Sequence, residues 1–133
     1  MIKVYVAGRD SDDNVLGVLN NIRRGIQMCK DLLLMGFAPF CPWFDHQYIL
    51  AMDQFEVETV TVGTFQASSM AWLESSDCVL VIPFRAETSK GTQSEIARAH
   101  EIGKPVFFSV EGLVEWRNYR ALDGAALVRH DGI

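Results

Sequence analysis

The feature that most constrains the fold is the alternation of short apolar segments with longer helical patterns. Apolar segments rich in β-branched or aromatic residues, which are typical of buried strands, occupy 2–8, 37–42, 78–84 and 105–110. Segments with helical spacing separate them. Strands that alternate with helices form βαβ units with right-handed crossovers. The sequence therefore predicts an α/β protein with a mostly parallel sheet of four or five strands.

Helical periodicity is clearest after the first apolar segment. From Val15 to Leu33 apolar side chains recur in steps of three and four, which predicts one long helix with Gly36 as its C-cap. Residues 64–77 predict a second long helix. Residues 43–63 show no clear period and predict an irregular loop with a helical piece over the site, whereas 113–122 predict a short helix.

Composition and charge narrow the class of protein. The 133 residues, 49% of them hydrophobic and 22% charged, suit one domain that spans 1–133 and buries a core. The formal net charge of -5 argues against a nucleic-acid partner. The N-terminal apolar run is too short for a signal peptide or membrane span, and three cysteines in apolar stretches indicate reduced thiols. We therefore expect a cytoplasmic protein with no membrane partner, no metal and no cofactor.

Three polar segments follow predicted strands, at 8–10, 42–46 and 84–95. In a parallel sheet, the loops after the strands lie at one edge, and ligands bind there. We therefore expect these segments to converge on a single cleft.

Glu95 has two interpretations. The run from Thr92 to Glu95 fits a capping box, in which Thr92 caps the helix and the carboxylate returns to its N–H. In the alternative, Glu95 faces the cleft as a nucleophile, and the two predict different rotamers. Gly91 fits both, because glycine permits a turn and also lets backbone N–H groups approach a phosphate.

The other polar candidates also have structural interpretations. Tyr5 in the first strand fits a core position with an incidental hydrogen bond. Arg9 and Asp10 fit solvated loop residues. Asp45 and His46 follow a strand end, where such a pair is more often part of a loop than a catalytic dyad.

Three stretches together resemble the nucleoside 2-deoxyribosyltransferase superfamily. They are "KVYVAG" from Lys3, "AWLESSDCVLVIPF" from Ala71 and "SKGTQSEIARAHEIGKPVF" from Ser89. The resemblance is to the small phage and bacterial branch and to deoxynucleoside 5'-monophosphate N-glycosidases, and it extends to about Val110. It implies a flavodoxin-like (Rossmann-like) three-layer fold.

The resemblance also implies a mechanism and an assembly. The family's glutamate nucleophile falls on Glu95, and the strand tyrosine that bonds to it falls on Tyr5. We expect the helix N-terminus to lower the pKa of Glu95. The family forms dimers or larger assemblies, so we expect a homodimer or higher homo-oligomer, in which a neighbour's segment beyond Ser109 completes the site.

The substrate-binding residues are implied in the same way. In the monophosphate branch a serine and a glycine before the nucleophile hold the 5'-phosphate. Ser89 and Gly91 match them, with Thr92 adjacent. The loop after the first strand contacts base or phosphate in the family, which points to Gly8 and Arg9.

One position departs from the family. An aspartate that touches the sugar and helps proton transfer is replaced by Ser69, and a hydroxyl group does not supply a proton as a carboxyl group does. The acid then comes from Asp45, Asp53 or Asp77, or the chemistry is slow, or the protein only binds.

The expected function is hydrolysis of the base–sugar bond of a (deoxy)nucleoside 5'-monophosphate. The loop at 89–91, with Lys90, resembles a phosphate cradle and favours a hydrolase over a deoxyribosyltransferase. A nucleotide-binding or sensing module without catalysis is the alternative from another class, and a flavodoxin-like protein for flavin or protein interaction is a third. Trp43, Phe44 and Tyr48 are candidates for stacking on the base.

Overall fold

The computed structural model describes the backbone of residues 1–131 and the side chains of residues 1–122. Within this part of the chain one sheet forms, and all its strand pairs are parallel. The strand order is β2-β1-β3-β4. The strands are β1 (Lys3–Ala7), β2 (Ala38–Phe40), β3 (Cys78–Val81) and β4 (Val106–Phe107).

Helices connect and follow the strands. They are α1 (Val15–Leu34), α2 (His46–Leu50), α3 (Gln54–Thr59), α4 (Val62–Ser75), α5 (Lys90–Glu101) and α6 (Val110–Asp131), with 3-10 turns at Pro42–Asp45 and Ala86–Thr88. Among the described helices, none has the length and apolar character needed to cross a bilayer.

The predicted first helix is confirmed at both ends. The Asn14 side chain accepts a 2.9 Å hydrogen bond from the N–H of Gly17, which satisfies one free donor at the start of α1. Gly36 follows the helix with a φ of 91°, a left-handed conformation that glycine adopts without steric cost.

Side chains of β1 alternate between the two faces of the sheet, as the pleat requires. Val4 and Val6 pack in one apolar cluster with residues of α1 and α6. Tyr5 and Ala7 pack in a second cluster with residues of α4 and α5. The protein is therefore an α/β protein with helices on both faces of a four-stranded parallel sheet, a flavodoxin-like three-layer fold.

The region expected to be irregular is instead largely helical. A 3-10 turn leads into α2 and α3, and α4 begins at Val62. Asp53 forms a capping box with Glu56 at the start of α3. This short motif predicts a helix start, although the spacing of apolar residues in the region shows no helical period.

The end of the described chain also differs from the prediction. The last strand spans only Val106–Phe107, because the Ser109 hydroxyl accepts a 3.1 Å hydrogen bond from the N–H of Gly112 and so starts α6 early. Residues beyond Ser109 were expected to complete a neighbour's site. Side chains past Leu122 lie outside the described residues.

Candidate active site

The three polar loops converge at the carboxyl edge of the sheet, as predicted. The Arg9 guanidinium donates a 2.8 Å hydrogen bond to the Thr88 hydroxyl, so the loops after β1 and β3 touch. Trp43 Nε1 donates to the carbonyl of Arg9 at 3.2 Å. His46 Nε2 lies 2.8 Å from Asp10 Oδ1, which joins the segments after β1 and β2. These contacts join the three loops at one edge of the sheet.

Tyr5 and Glu95 meet at the same end of the sheet. The Tyr5 hydroxyl donates a 3.0 Å hydrogen bond to Glu95 Oε1. Tyr5 is fully buried in β1 and faces the layer of α4 and α5. Glu95 lies in the second turn of α5, on the side that also carries the buried residues Thr92 and Ala99. The alternation of β1 and the periodicity of α5 therefore bring these two side chains together.

The capping-box interpretation of Thr92 and Glu95 is wrong. Helix α5 begins at Lys90, three residues earlier than that interpretation requires, and Ser89 is its N-cap. The Ser89 hydroxyl oxygen accepts hydrogen bonds from the N–H of Thr92 at 3.3 Å and from its hydroxyl at 2.8 Å. Glu95 is therefore free of the helix terminus and bonds to Tyr5 instead.

Burial controls the protonation of Glu95. It raises the pKa of this carboxyl group to about 7, against the lowering effect of the Tyr5 hydrogen bond. The expected lowering by the helix N-terminus is not the dominant effect, because Glu95 lies past the first turn, where the helix dipole weakens. Burial and the neighbouring Glu95 charge raise the pKa of Tyr5 above its ordinary value, so its phenol remains a hydrogen-bond donor.

Ser69 lies on the opposite side of Tyr5, on α4. It is buried, so it is not a surface serine, and its hydroxyl donates a 3.5 Å hydrogen bond to Asp45 Oδ2. The same hydroxyl is close enough to Tyr5 to lower the pKa of that phenol. Burial raises the pKa of Asp45 above its ordinary value, and the Ser69 hydrogen bond opposes this effect. A second carboxyl group thus lines the cleft beside Ser69.

The other two aspartates proposed as acids have structural roles elsewhere. Asp53 caps α3 by accepting a 2.8 Å hydrogen bond from the N–H of Glu56, and it is exposed. Asp77 accepts a 2.8 Å hydrogen bond from the N–H of Lys3. Because Asp77 precedes β3 and Lys3 begins β1, this contact lies at the amino edge of the sheet, away from the cleft.

The predicted phosphate residues lie at the start of α5, but in different environments. Ser89 caps the helix, and Thr92 is buried and donates to it, so its hydroxyl is already engaged. Gly91 is exposed, and a Cβ atom built there would meet no atom within 4 Å. Open space at Gly91 leaves room for a ligand beside the first turn of α5.

The loop after β1 holds Gly8 and Arg9. A Cβ atom at Gly8 would lie 2.9 Å from the Trp43 ring, so glycine is required here by the core and not by a ligand. Arg9 is half-buried, and its Nε has no hydrogen-bond partner in the described part of the chain. A buried donor without a partner is costly, which makes Arg9 the strongest candidate for binding an anion.

The aromatic residues proposed to stack on the base differ in the exposed fraction of their side chains. Trp43 is only 3% exposed, and its ring occupies the space where a Gly25 side chain would lie, so it is unavailable for stacking on a base. Phe44 and Tyr48 remain accessible. The sequence interpretation missed a stack that extends from Tyr5 through Phe40, at 5.6 Å between ring centroids, to Trp72.

The sequence analysis did not identify Thr88 and interpreted Asp10 as a solvated loop residue, because the contacts of both residues join loops far apart in sequence. Within the described part of the chain, no group of three or more His, Cys, Asp or Glu side chains is arranged to hold a metal ion. Neither the protein-family models nor the curated proteins searched contain a match to this chain.

Proposed function

We propose that this protein is an N-glycosidase that hydrolyses the base–sugar bond of a (deoxy)nucleoside 5'-monophosphate, with Glu95 as its nucleophile. The observation that carries the proposal is the 3.0 Å hydrogen bond from Tyr5 to Glu95, at the edge of the sheet where three loops meet. A partly buried carboxyl group held by a tyrosine, outside any helix cap, has the geometry of an oriented nucleophile.

The chemistry follows from this contact. Cleavage of a glycosidic bond passes through an oxocarbenium-like transition state, which a carboxylate on one face of the sugar stabilises or attacks. Tyr5 bonds to Oε1 of Glu95, which leaves the second oxygen for C1' of the sugar. Water then displaces the carboxylate from C1'. Because the pKa of Glu95 is about 7, the ionised fraction that this step needs increases as the pH rises through neutrality.

The 5'-phosphate is assigned to the start of α5. The N-terminus of this 12-residue helix favours anions, and Lys90 is exposed beside it. Arg9 approaches the same place through its contact with Thr88, with an unpartnered Nε. A free nucleoside has no group for these donors, so they support a monophosphate as substrate.

The carboxyl group of Asp45 beside Ser69 favours the enzyme over a binding module. Loss of the family aspartate would leave a module without an acid near the leaving base, whereas this cleft retains one. A deoxyribosyltransferase would use the same first step and differ only in the group that displaces Glu95 from C1'.

The experiment is base release from a panel of ribo- and deoxyribonucleosides and their 5'-monophosphates, followed by chromatography. Glu95→Gln is the test variant. Glu101→Gln is the matched control, because Glu101 ends the same helix and pairs with Arg98 at its exposed surface. We expect release by the wild type and the control but not by Glu95→Gln. Addition of a second free base tests for transfer.

Two results would contradict this function. Equal base release by Glu95→Gln and the wild type would remove Glu95 as nucleophile. No release from any member of the panel, together with thermal stabilisation by a nucleotide, would favour the binding module.

A further inference from the structure

The departing base presents a chemical requirement that Glu95 does not meet. When the bond from C1' to the base nitrogen breaks, its electron pair goes to the base, and a proton must compensate the charge that develops there. Glu95 is engaged with the sugar at that moment. The requirement arises only if the proposed function is right, so this inference rests on it.

The sheet order places a second carboxyl group opposite the first. Asp45 follows β2, and Glu95 lies on the helix after β3. Strand β1, which carries Tyr5, lies between those two strands. The sheet order therefore places the two carboxyl groups on either side of the strand that carries Tyr5. Displacement at C1' needs the nucleophile and the leaving group on opposite faces of the sugar, and this placement suits that requirement.

Ser69 holds Asp45 in this position. Its hydroxyl donates to Asp45 Oδ2, and α4 keeps the serine buried. Ser69 engages Oδ2 of Asp45, so the other carboxyl oxygen, Oδ1, can carry a proton. The alternative aspartates, Asp53 and Asp77, are fixed in a helix cap and at the amino edge of the sheet.

We infer that Asp45 is the proton donor to the leaving base and that Ser69 is its positioning residue. In the first step a Glu95 oxygen bonds to C1', the bond from C1' to the base nitrogen breaks, and the Asp45 proton goes to the base. In the second step Asp45, now ionised, takes a proton from water as the water oxygen bonds to C1' and Glu95 leaves. The base, the sugar phosphate and the original enzyme result.

The surroundings of Asp45 act on its pKa in both directions. Burial and the charge of Asp10 raise its pKa, whereas the Ser69 hydrogen bond and the charge of His46 lower it, with a net increase. His46 pairs with Asp10 at 2.8 Å. The groups that face Asp45 are Tyr5 from β1, Ser69 from α4, Asp10 from the loop after β1, and Cys41 and His46 from its own segment.

The test compares two leaving groups on one sugar phosphate. One substrate is the natural nucleotide that the wild type cleaves fastest. The other is the 4-nitrophenyl glycoside of the same sugar 5'-phosphate, whose leaving group departs as a stabilised anion and needs no proton. Asp45→Asn should lose roughly 10²–10⁴-fold in kcat on the nucleotide, with little loss on the nitrophenyl substrate. Asp45→Glu, which retains a carboxyl group, should lose less on the nucleotide.

Asp31→Asn is the matched control. Asp31 is exposed near the end of α1, at the opposite edge of the sheet, and pairs with Lys30. It should match the wild type on both substrates, whereas Glu95→Gln should be inactive on both.

An equal loss by Asp45→Asn on both substrates would assign a structural role to Asp45 and overturn the inference. Unchanged activity on both would also overturn it. In either case the proposed function stands if Glu95→Gln remains inactive. Activity of Glu95→Gln on both substrates would instead overturn the proposed function.

Discussion

The Arg9 guanidinium donates a hydrogen bond to the Thr88 hydroxyl at 2.8 Å, while its Nε is buried and unpartnered among the described residues. The contact ties the loop after β1 to the loop before α5. It also holds a planar cation next to the loop that leads into that helix. Arg9 is therefore the residue whose replacement most directly tests the phosphate assignment.

Arg9→Gln should weaken binding of the 5'-monophosphate by about 10–100-fold, because a hydrogen bond to a charged group contributes about 1.5–3 kcal/mol. The corresponding nucleoside should bind almost unchanged. Calorimetric titration of the inactive Glu95→Gln background measures both affinities, and Arg23→Gln on the exposed face of α1 is the control. A similar loss for nucleoside and monophosphate would show that Arg9 supports the loops and does not contact phosphate.

Ser89 has both a structural role and a proposed binding role, and two substitutions separate them. Ser89→Ala removes the N-cap of α5 and should cost about 1 kcal/mol in the free energy of unfolding, whereas Ser89→Gly costs only a few tenths. Both remove the hydroxyl, so both should raise KM for the monophosphate more than for the nucleoside. Urea unfolding and steady-state kinetics measure the two effects. If KM for the monophosphate increases only in the variant that loses stability, Ser89 acts as the helix cap and does not bind the phosphate.

The buried carboxyl group of Glu95 should destabilise the protein above neutral pH. Its ordinary pKa is 4.5 and its folded-state pKa is about 7, so the folded state binds this proton more tightly than the unfolded state. The stabilisation is complete below the ordinary value and is lost as pH rises through about 7, a difference on the order of 3 kcal/mol.

Glu95→Gln cannot ionise, so it should be more stable than the wild type at about pH 8 and close to it at about pH 5. Urea unfolding at both pH values checks this, and Glu101→Gln provides the exposed comparison. A gain that does not change with pH would indicate that ionisation of Glu95 carries no cost.

Gly25 and Gly91 should respond oppositely to alanine. A Cβ atom at Gly25 would lie 2.1 Å from the Trp43 ring, so Gly25→Ala should destabilise the protein by at least about 1–3 kcal/mol. Gly91 has open space and lies in a helix, so Gly91→Ala should be neutral or stabilise by up to about 1 kcal/mol. Denaturant unfolding compares them, and equal effects would contradict the packing seen around Trp43.

Ser69→Asp should lower activity in the wild-type background, because it removes the hydroxyl group that positions Asp45, although it restores a carboxyl group where the resembling family has one. The sharper form uses the Asp45→Asn background, in which Ser69→Asp should recover part of the lost nucleotide cleavage. Base release by the single and double variants provides the measurement. An increase in the wild-type background would contradict the role of Ser69 in positioning Asp45.

Much of the fold follows from local sequence patterns. The four apolar segments became the four strands, and the three- and four-residue steps after Val15 became α1. The convergence of the loops was also predictable, because a parallel sheet dictates it. The pairing of Tyr5 with Glu95 came from the family resemblance, since no local pattern relates residues 90 positions apart.

The remainder depends on geometry that one-dimensional patterns do not contain. One interpretation of the sequence made Thr92 the cap of α5, whereas Ser89 is the cap and Thr92 is buried against it. The contact between Ser69 and Asp45 depends on how α4 crosses the segment after β2. The sequence analysis identified Ser69 and Asp45 separately as candidates, but only the packed structure shows the hydrogen bond between them.

The indole of Trp43 packs against the bare backbone of Gly25, and Asp45 follows two residues later in the same 3-10 turn. Within this turn, Trp43 packs on the face of the sheet that α1 covers, whereas Asp45 contacts Ser69 of α4 on the other face. The position of the Asp45 carboxyl group therefore depends on the absence of a side chain at Gly25, which lies on α1 in the opposite layer. Changes in activity can therefore arise from α1, which contributes no proposed catalytic residue, without any substitution in the cleft itself.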